Sequence, residues 1–362
     1  MKYKAGYLLL GVLGLLVAAS AIVLSMNPAA LDLPKGSTPV TRVPAAEFTP
    51  MNATHTSDLP ILAPAMPEFA GIARWWNTPD GQALTPASLK GKVVLIDFWT
   101  YSCINCIRTQ PFMRKIWETY KDDGLVIVGV HTPEFAFEKV PANVENALKK
   151  AGLEYPIALD PEYATWNAYS NHYWPAGYFF DRQGRLRFTH FGEGSYDEQE
   201  NIIRELLAEE TPLTDPMTGA GQIPRFELTK THETYFGSLR LANLANPEYE
   251  PGVEKTYQLR ETAADQWSLG GTWKITDEYA IGLQAGTKFR MNVESNAMHL
   301  VLGSMNGPKT IKVTADGEGA GTIQVDQKQL YTVARFPDGG RHTIEIELVE
   351  PGIEFYAATF GE

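Results

Sequence analysis

Two cysteines in 362 residues, Cys103 and Cys106, stand at the spacing C-x-x-C within the stretch VVLIDFWTYSCINC, residues 93–106. No other feature restricts the fold and the chemistry so strongly. After Gly91 the stretch opens as an apolar run with β-branched Val93, Val94 and Ile96, which predicts a buried strand of a mostly parallel sheet. From Cys103 onward Ile107, Phe112, Ile116 and Tyr120 recur at helical spacing, placing Cys103 at a helix N-terminus and Cys106 one turn inside. Unpaired amides and the positive end of the helix dipole favour a thiolate at the first cysteine of such a pair. Cys103 is therefore the expected nucleophile. One helical turn lets Cys106 attack a mixed disulfide formed at Cys103 and release the reduced partner, so Cys106 is the expected resolving thiol. A purely structural bridge is the alternative, but so short a loop removes little unfolded-state entropy.

The chain opens with Lys2 and Lys4 before an uncharged, largely apolar run from Ala5 to Met26, long enough to cross a bilayer core of about 30 Å. Residues 1–26 are expected to be a membrane anchor, with a cleaved export signal as the alternative. Residues 27–65, rich in proline from Pro28 to Pro64, read as an extended spacer. Within 66–210, Thr78-Pro79-Asp80-Gly81 between apolar pieces predicts a β-hairpin, and Thr85-Pro86 the start of a short helix. Strands are expected at 125–130 and 155–159, a helix over 143–150 ending at Gly152, a hairpin over 177–190 around Asp181–Gly184, and a closing helix over 197–207. Alternating strands and helices imply an α/β sheet. A second Pro/Gly spacer, 211–222, precedes short alternating runs such as 255–260, 271–276, 287–294, 298–302, 310–314 and 342–348, so 223–362 is expected to be an all-β jelly-roll sandwich. Spacer composition predicts that this sandwich is an independently folding module that leaves the dithiol untouched, with tight docking of Thr231 to Gly237 on the first domain, shaping the substrate cleft, as the alternative.

The net charge of -12, from 31 basic and 43 acidic side chains, disfavours nucleic acid as a partner. His131, His172 and His190 show no ligand spacing with the cysteines, so neither a metal nor another cofactor is expected.

DFW followed, after three residues, by C-x-x-C resembles the thioredoxin superfamily. Two further residues match: Asp97, six before Cys103, where the superfamily keeps a buried acid, and Pro111, eight after it, within the active-site helix. WTYSCINC, YWPAGYFFDRQG and ETYFG together are more particular, and resemble the extracytoplasmic part of the DipZ type of membrane-linked thioredoxin-like proteins, related to the TlpA and ResA group. The resemblance covers residues 66–210 with specific motifs and 223–362 more loosely. Ile104-Asn105 departs from the Gly-Pro of thioredoxin itself, and no multi-span electron-transfer domain lies within these residues.

The resemblance implies a thioredoxin fold of TlpA type, with an additional N-terminal hairpin, followed by a carbohydrate-binding-module-like sandwich with a glycan or protein ligand. It places Pro175 as the cis-proline against the dithiol and gives Asp97 the role of relaying the proton of Cys106. Trp99, Tyr101 and Trp174 are the candidates for substrate contact, with ordinary core packing as the alternative; Trp267 and Trp273 are read as core or sugar platform. The implied setting is extracytoplasmic, in the periplasm or cell envelope and anchored in the cytoplasmic membrane. There the enzyme would reduce disulfide-bearing proteins with electrons from a CcdA-like membrane donor. Two other classes remain. Thr100-x-x-Cys103 echoes a thiol peroxidase motif, although Ile96 stands where that motif needs proline; and the chain can be read as a non-enzymatic adaptor.

Overall fold

A computed structural model describes residues 57–208 and 230–361. The expected anchor, most of the first spacer and the spacer 211–222 lie outside the described residues. Among the described residues no helix is long and apolar enough to cross a membrane.

The first domain is a six-stranded sheet in the order β1-β4-β3-β2-β5-β6, built from β1 (Arg74–Trp76), β2 (Val93–Trp99), β3 (Leu125–His131), β4 (Ile157–Leu159), β5 (Ala176–Phe180) and β6 (Leu186–Phe191). β2, β3 and β4 are parallel, and β5, β6 and β1 run antiparallel to their neighbours. The helices are α1 (Ile104–Tyr120), α2 (Pro141–Ala151), α3 (Ala164–Ala168) and α4 (Tyr196–Ala208). Strand alternation divides β2 between two cores. Val93, Leu95 and Trp99 pack with Cys106 and Phe112 of α1 on one face, while Val94, Ile96 and Phe98 pack with Trp166 and Tyr178 on the other. All seven β2 residues are consequently buried, which is why the run shows no polar alternation.

Two local expectations are corrected. No hairpin forms around residues 78–81: β1 pairs instead with β4, because Asn77 donates from Nδ2 to the carbonyls of Leu153 (2.8 Å) and Tyr155 (3.0 Å) and so ties the turn to the chain entering β4. Nor does Thr85-Pro86 start a helix. Thr85 and Ser88 cap one another, but the amide of Gly91 turns away to the carbonyl of Arg182 and the segment ends after one turn. Upstream, Leu62 and Ala63 exchange backbone hydrogen bonds with Leu186, so the end of the proline-rich stretch lies along β6.

The second domain is all-β. Its strands are β7 (Thr234–Tyr235), β8 (Glu254–Tyr257), β9 (Trp267–Ile275), β10 (Ala280–Gly282), β11 (Lys288–Glu294), β12 (Ala297–Ser304), β13 (Lys309–Ala315), β14 (Glu318–Val325), β15 (Gln329–Arg335), β16 (Arg341–Leu348) and β17 (Ile353–Phe360). They are joined in the order β14-β13-β16-β11-β9-β10-β17-β12-β15, with β7 on β17 and β8 on β9. The first half of β9 pairs with β11 and its second half with β10, so β9 passes from one layer to the other. The bend falls at Gly271, whose φ of +84° and close approach to Thr287 leave no room for a Cβ. Trp267 and Trp273 are fully buried with Phe236, Phe289 and Phe355, and are core residues.

The sandwich does not stand apart. Val301, Tyr356 and Ala357 enter the same apolar cluster as Tyr101, Phe135 and Phe137. The Tyr356 ring lies 5.2 Å from Phe135 and 4.8 Å from Phe137, both edge-on. Glu134 accepts from Tyr235 Oη and Arg240 Nη1, each at 2.7 Å, and the Glu278 carboxylate accepts from the amide of Ala136. The expectation that the sandwich stands clear of the dithiol domain is thereby corrected in favour of docking through the region around Tyr235. One face of β12 and β17 covers the sandwich core and the other covers the first domain, burying apolar surface on both.

Candidate active site

β2 ends at Trp99, residues 100–102 turn, and Cys103 caps α1 with extended backbone angles, its Sγ accepting from the amide of Cys106 at 3.3 Å. Both cysteines are free thiols; Cys103 is half-buried and Cys106 is 1% exposed. Burial, and next its contact with Cys103, push the Cys106 thiol well above its ordinary range. α1 runs unbroken through Pro111, and Thr109 Oγ1 donates to the carbonyl of Cys106 at 2.8 Å.

Asp97 sits in β2 between Gly129 of β3 and Gly177 of β5, at the odd parity that faces α1. Burial pushes its carboxyl up to about 7, and Oδ1 has no hydrogen-bond partner among the described residues. A Cβ on Gly129 would fall 2.6 Å from Ile157 Cδ1 and 3.0 Å from Trp99 Nε1, so glycine keeps this space open. Burial first, and next the charge of Asp97, raises the Tyr155 hydroxyl, and the same charge adds a smaller push to the buried Cys106 thiol. A carboxyl titrating near neutrality beside a thiol held protonated is equipped to take its proton.

The Trp174–Pro175 peptide is cis, and the carbonyl of Pro175 accepts from Gly192 at 2.8 Å. Trp174 is half-buried, its Nε1 donating to the carbonyl of Thr132 at 3.1 Å and its ring 4.4 Å from Trp166. It lines a 240 Å³ pocket shared by Glu134 and Tyr163 with Tyr235, Leu239 and Arg240 of the sandwich. Beside it Tyr173 and Phe191, both exposed, pair at 5.2 Å.

The other two aromatic candidates lie elsewhere. Trp99 is in the core, edge-on to His131 at 5.0 Å, because its parity in β2 turns it under α1; as a surface contact for substrate it is corrected. Tyr101 stacks on His131 at 5.6 Å and is largely buried, reaching open space only where it borders a cleft of about 530 Å³ between α2 and the 326–330 segment of the sandwich. His131 itself is buried and held neutral, its imidazole lowered to about 3 by desolvation.

Two charged residues near the dithiol escaped the sequence reading. Glu138 is fully buried: Oε1 accepts from the amide (3.2 Å) and Oγ (2.7 Å) of Ser102, and Oε2 from the amides of Glu134 (2.7 Å) and Phe135 (3.1 Å). In EFAFEK it resembles any surface acid, and nothing in the spacing marks it. Arg108 donates to Asn105 and Glu193, each at 3.3 Å, and to the carbonyl of Phe360 at 3.2 Å. Its position two residues after Cys106 was the available signal.

Residues 63–207 match the Redoxin family model, and residues 231–361 match the one described as thioredoxin like C-terminal domain. Protein DipZ of Mycobacterium tuberculosis is 38% identical over 303 residues, 82% of this chain and 42% of the relative. Thiol-disulfide oxidoreductase YkuV of Bacillus subtilis is 30% identical over 148 residues, 41% of this chain and 97% of the relative. The chain belongs to the DipZ/TlpA-like thioredoxin-like proteins. It spans about two fifths of the length of its DipZ relatives. A solution structure of a thioredoxin-like protein in the oxidized form is 31% identical, covering 41% of this chain and 99% of its own, with a TM-score of 0.38. In this thioredoxin-like chain both cysteines, Asp97 and Pro175 fall within the Redoxin match, while the sandwich residues at the interface fall within the C-terminal one.

Proposed function

We propose that this chain is an extracytoplasmic thiol-disulfide oxidoreductase, held at the membrane by residues 1–26, that reduces protein disulfides with electrons from a membrane donor of the CcdA kind. The observation that carries the reading is the half-buried Cys103 thiol at the head of α1, contacted by the buried Cys106 with the Asp97 carboxyl behind it. Relatives named thiol-disulfide oxidoreductases support it.

The Cys103 thiolate attacks one sulfur of the substrate disulfide; a Cys103–substrate bond forms and the other substrate sulfur leaves as thiolate. Asp97 accepts the Cys106 proton, and Cys106 attacks Cys103 Sγ, closing the Cys103–Cys106 disulfide and releasing the second substrate thiolate. Substrate is reduced by two electrons and the enzyme oxidised by two, so each turnover requires a dithiol donor. An anchor formed by residues 1–26 would keep the domain beside such a donor in the membrane.

Insulin-disulfide reduction by the full-length chain tests this, with turnover expected to need both cysteines. Peroxide consumption that needs Cys103 but not Cys106 would overturn the reading in favour of a peroxidase. The equilibrium with glutathione fixes direction: a potential near the oxidising extreme, about -120 mV, would make the chain an oxidant.

A further inference from the structure

The Glu138 carboxylate joins two parts of the chain. On one side it accepts from both donors of Ser102, the residue before Cys103. On the other it accepts from the amides of Glu134 and Phe135, in the loop that the sandwich grips through Tyr235, Arg240 and Glu278. We propose that Glu138 is a positioning residue that fixes the turn presenting Cys103, and that docking of the sandwich acts on the dithiol through it. The inference rests on the thiol-disulfide reading above.

The geometry argues against a merely local role. Four donors converge on one carboxylate with no exposure to water, so all four would be left unpaired by its removal, and an unpaired buried amide costs about 1–3 kcal/mol. Ser102 directly precedes Cys103, the cap of α1, so a shift of Ser102 is felt at Cys103. Burial raises the carboxyl, and the hydroxyls of Thr100 and Ser102 draw it back down. Movement of the 134–138 loop is therefore transmitted to the Cys103 turn. A loss of charge near Cys103 and a loss of position are distinguishable: removing a negative charge lowers the midpoint and speeds exchange below it, whereas releasing the turn slows exchange at every pH.

The test uses the full chain carrying Cys106→Ser, which stops at the first exchange. The rate of exchange with oxidised glutathione is followed across pH: the midpoint reports charge, and the plateau reports geometry beyond the fall of about threefold per unit of lowered midpoint that weaker thiolate nucleophilicity brings. Glu138→Gln should lower the plateau about tenfold, the size expected for losing charged hydrogen bonds. Arg240→Ala, which loosens the sandwich grip and leaves the carboxylate in place, should lower it in the same direction by less. An unchanged or raised plateau in folded Glu138→Gln overturns the proposal. If Glu138→Gln does not fold, Arg240→Ala decides, and an unchanged plateau there overturns it. Absence of any exchange by the parent chain would instead sink the oxidoreductase reading.

Discussion

Arg108 Nη2 donates to the carbonyl of Phe360 at 3.2 Å, across 252 positions of sequence, and so joins the active-site helix to the last strand of the sandwich. The same guanidinium holds Asn105, inside the C-x-x-C, and Glu193. Both side chains of the Arg108–Glu193 pair are about one-tenth exposed, and burial pushes the Glu193 carboxyl up while Arg108 pulls it back. Arg108→Ala leaves that carboxylate buried and unpaired, a change that typically costs about 3–5 kcal/mol. The folded-state carboxyl then rises further above its unfolded value, so the loss should grow as pH rises and shrink in acid. Denaturant unfolding of parent and variant across pH measures it.

A chain ending at Ala208 should unfold at lower temperature than the full chain and bind more of a hydrophobic dye. It would bare Phe135, Phe137 and Tyr101, which Tyr356 and Val301 cover. Within the full chain, Tyr356→Ala should cost on the order of 3–5 kcal/mol in chemical unfolding, since the ring is buried between two domains. Equal stability of the short and full chains would show that the contact is without energetic weight.

Roles within the pair are separable by trapping. Cys106→Ser should accumulate mixed disulfides through Cys103, because attack proceeds and resolution does not, whereas Cys103→Ser should accumulate none. Non-reducing gels after exposure to a protein disulfide read this directly, and equal trapping by both variants would overturn the assignment.

Asp97→Asn should slow the release of mixed disulfides, most clearly above pH 7, where the parent carboxylate is available as base. It should also stabilise the fold there. The parent carboxyl titrates at about 7 when folded against 3.8 otherwise, so as pH rises between those values the unfolded state ionises first and stability falls, by roughly 4 kcal/mol in all. The asparagine variant lacks that fall. Thermal melts at pH 5 and pH 8 should therefore differ more for the parent than for the variant.

How much of this was legible follows from range. The spacing of Cys103 and Cys106, the β-branched run of β2 and the apolar periodicity of α1 are local, and local periodicity is sufficient to place a thiol pair at a strand-to-helix junction. The parity of β2 also carried the right face for Asp97, though read only as a buried position, and the same parity sends Trp99 into the core instead of to the surface. Glu138, Arg108 and Tyr356 carry no such signature. Their partners lie far off in sequence, at Ser102, Phe360 and Phe137, and only folding brings them into hydrogen-bonding or ring contact. β17, IEFYAATF, illustrates the limit: it lacks polar alternation because one face meets the sandwich core and the other the thioredoxin-like domain. A spacer rich in proline and glycine reports the covalent connection between two domains, whereas the surface they bury against each other is decided by shape and apolar area, which composition does not encode.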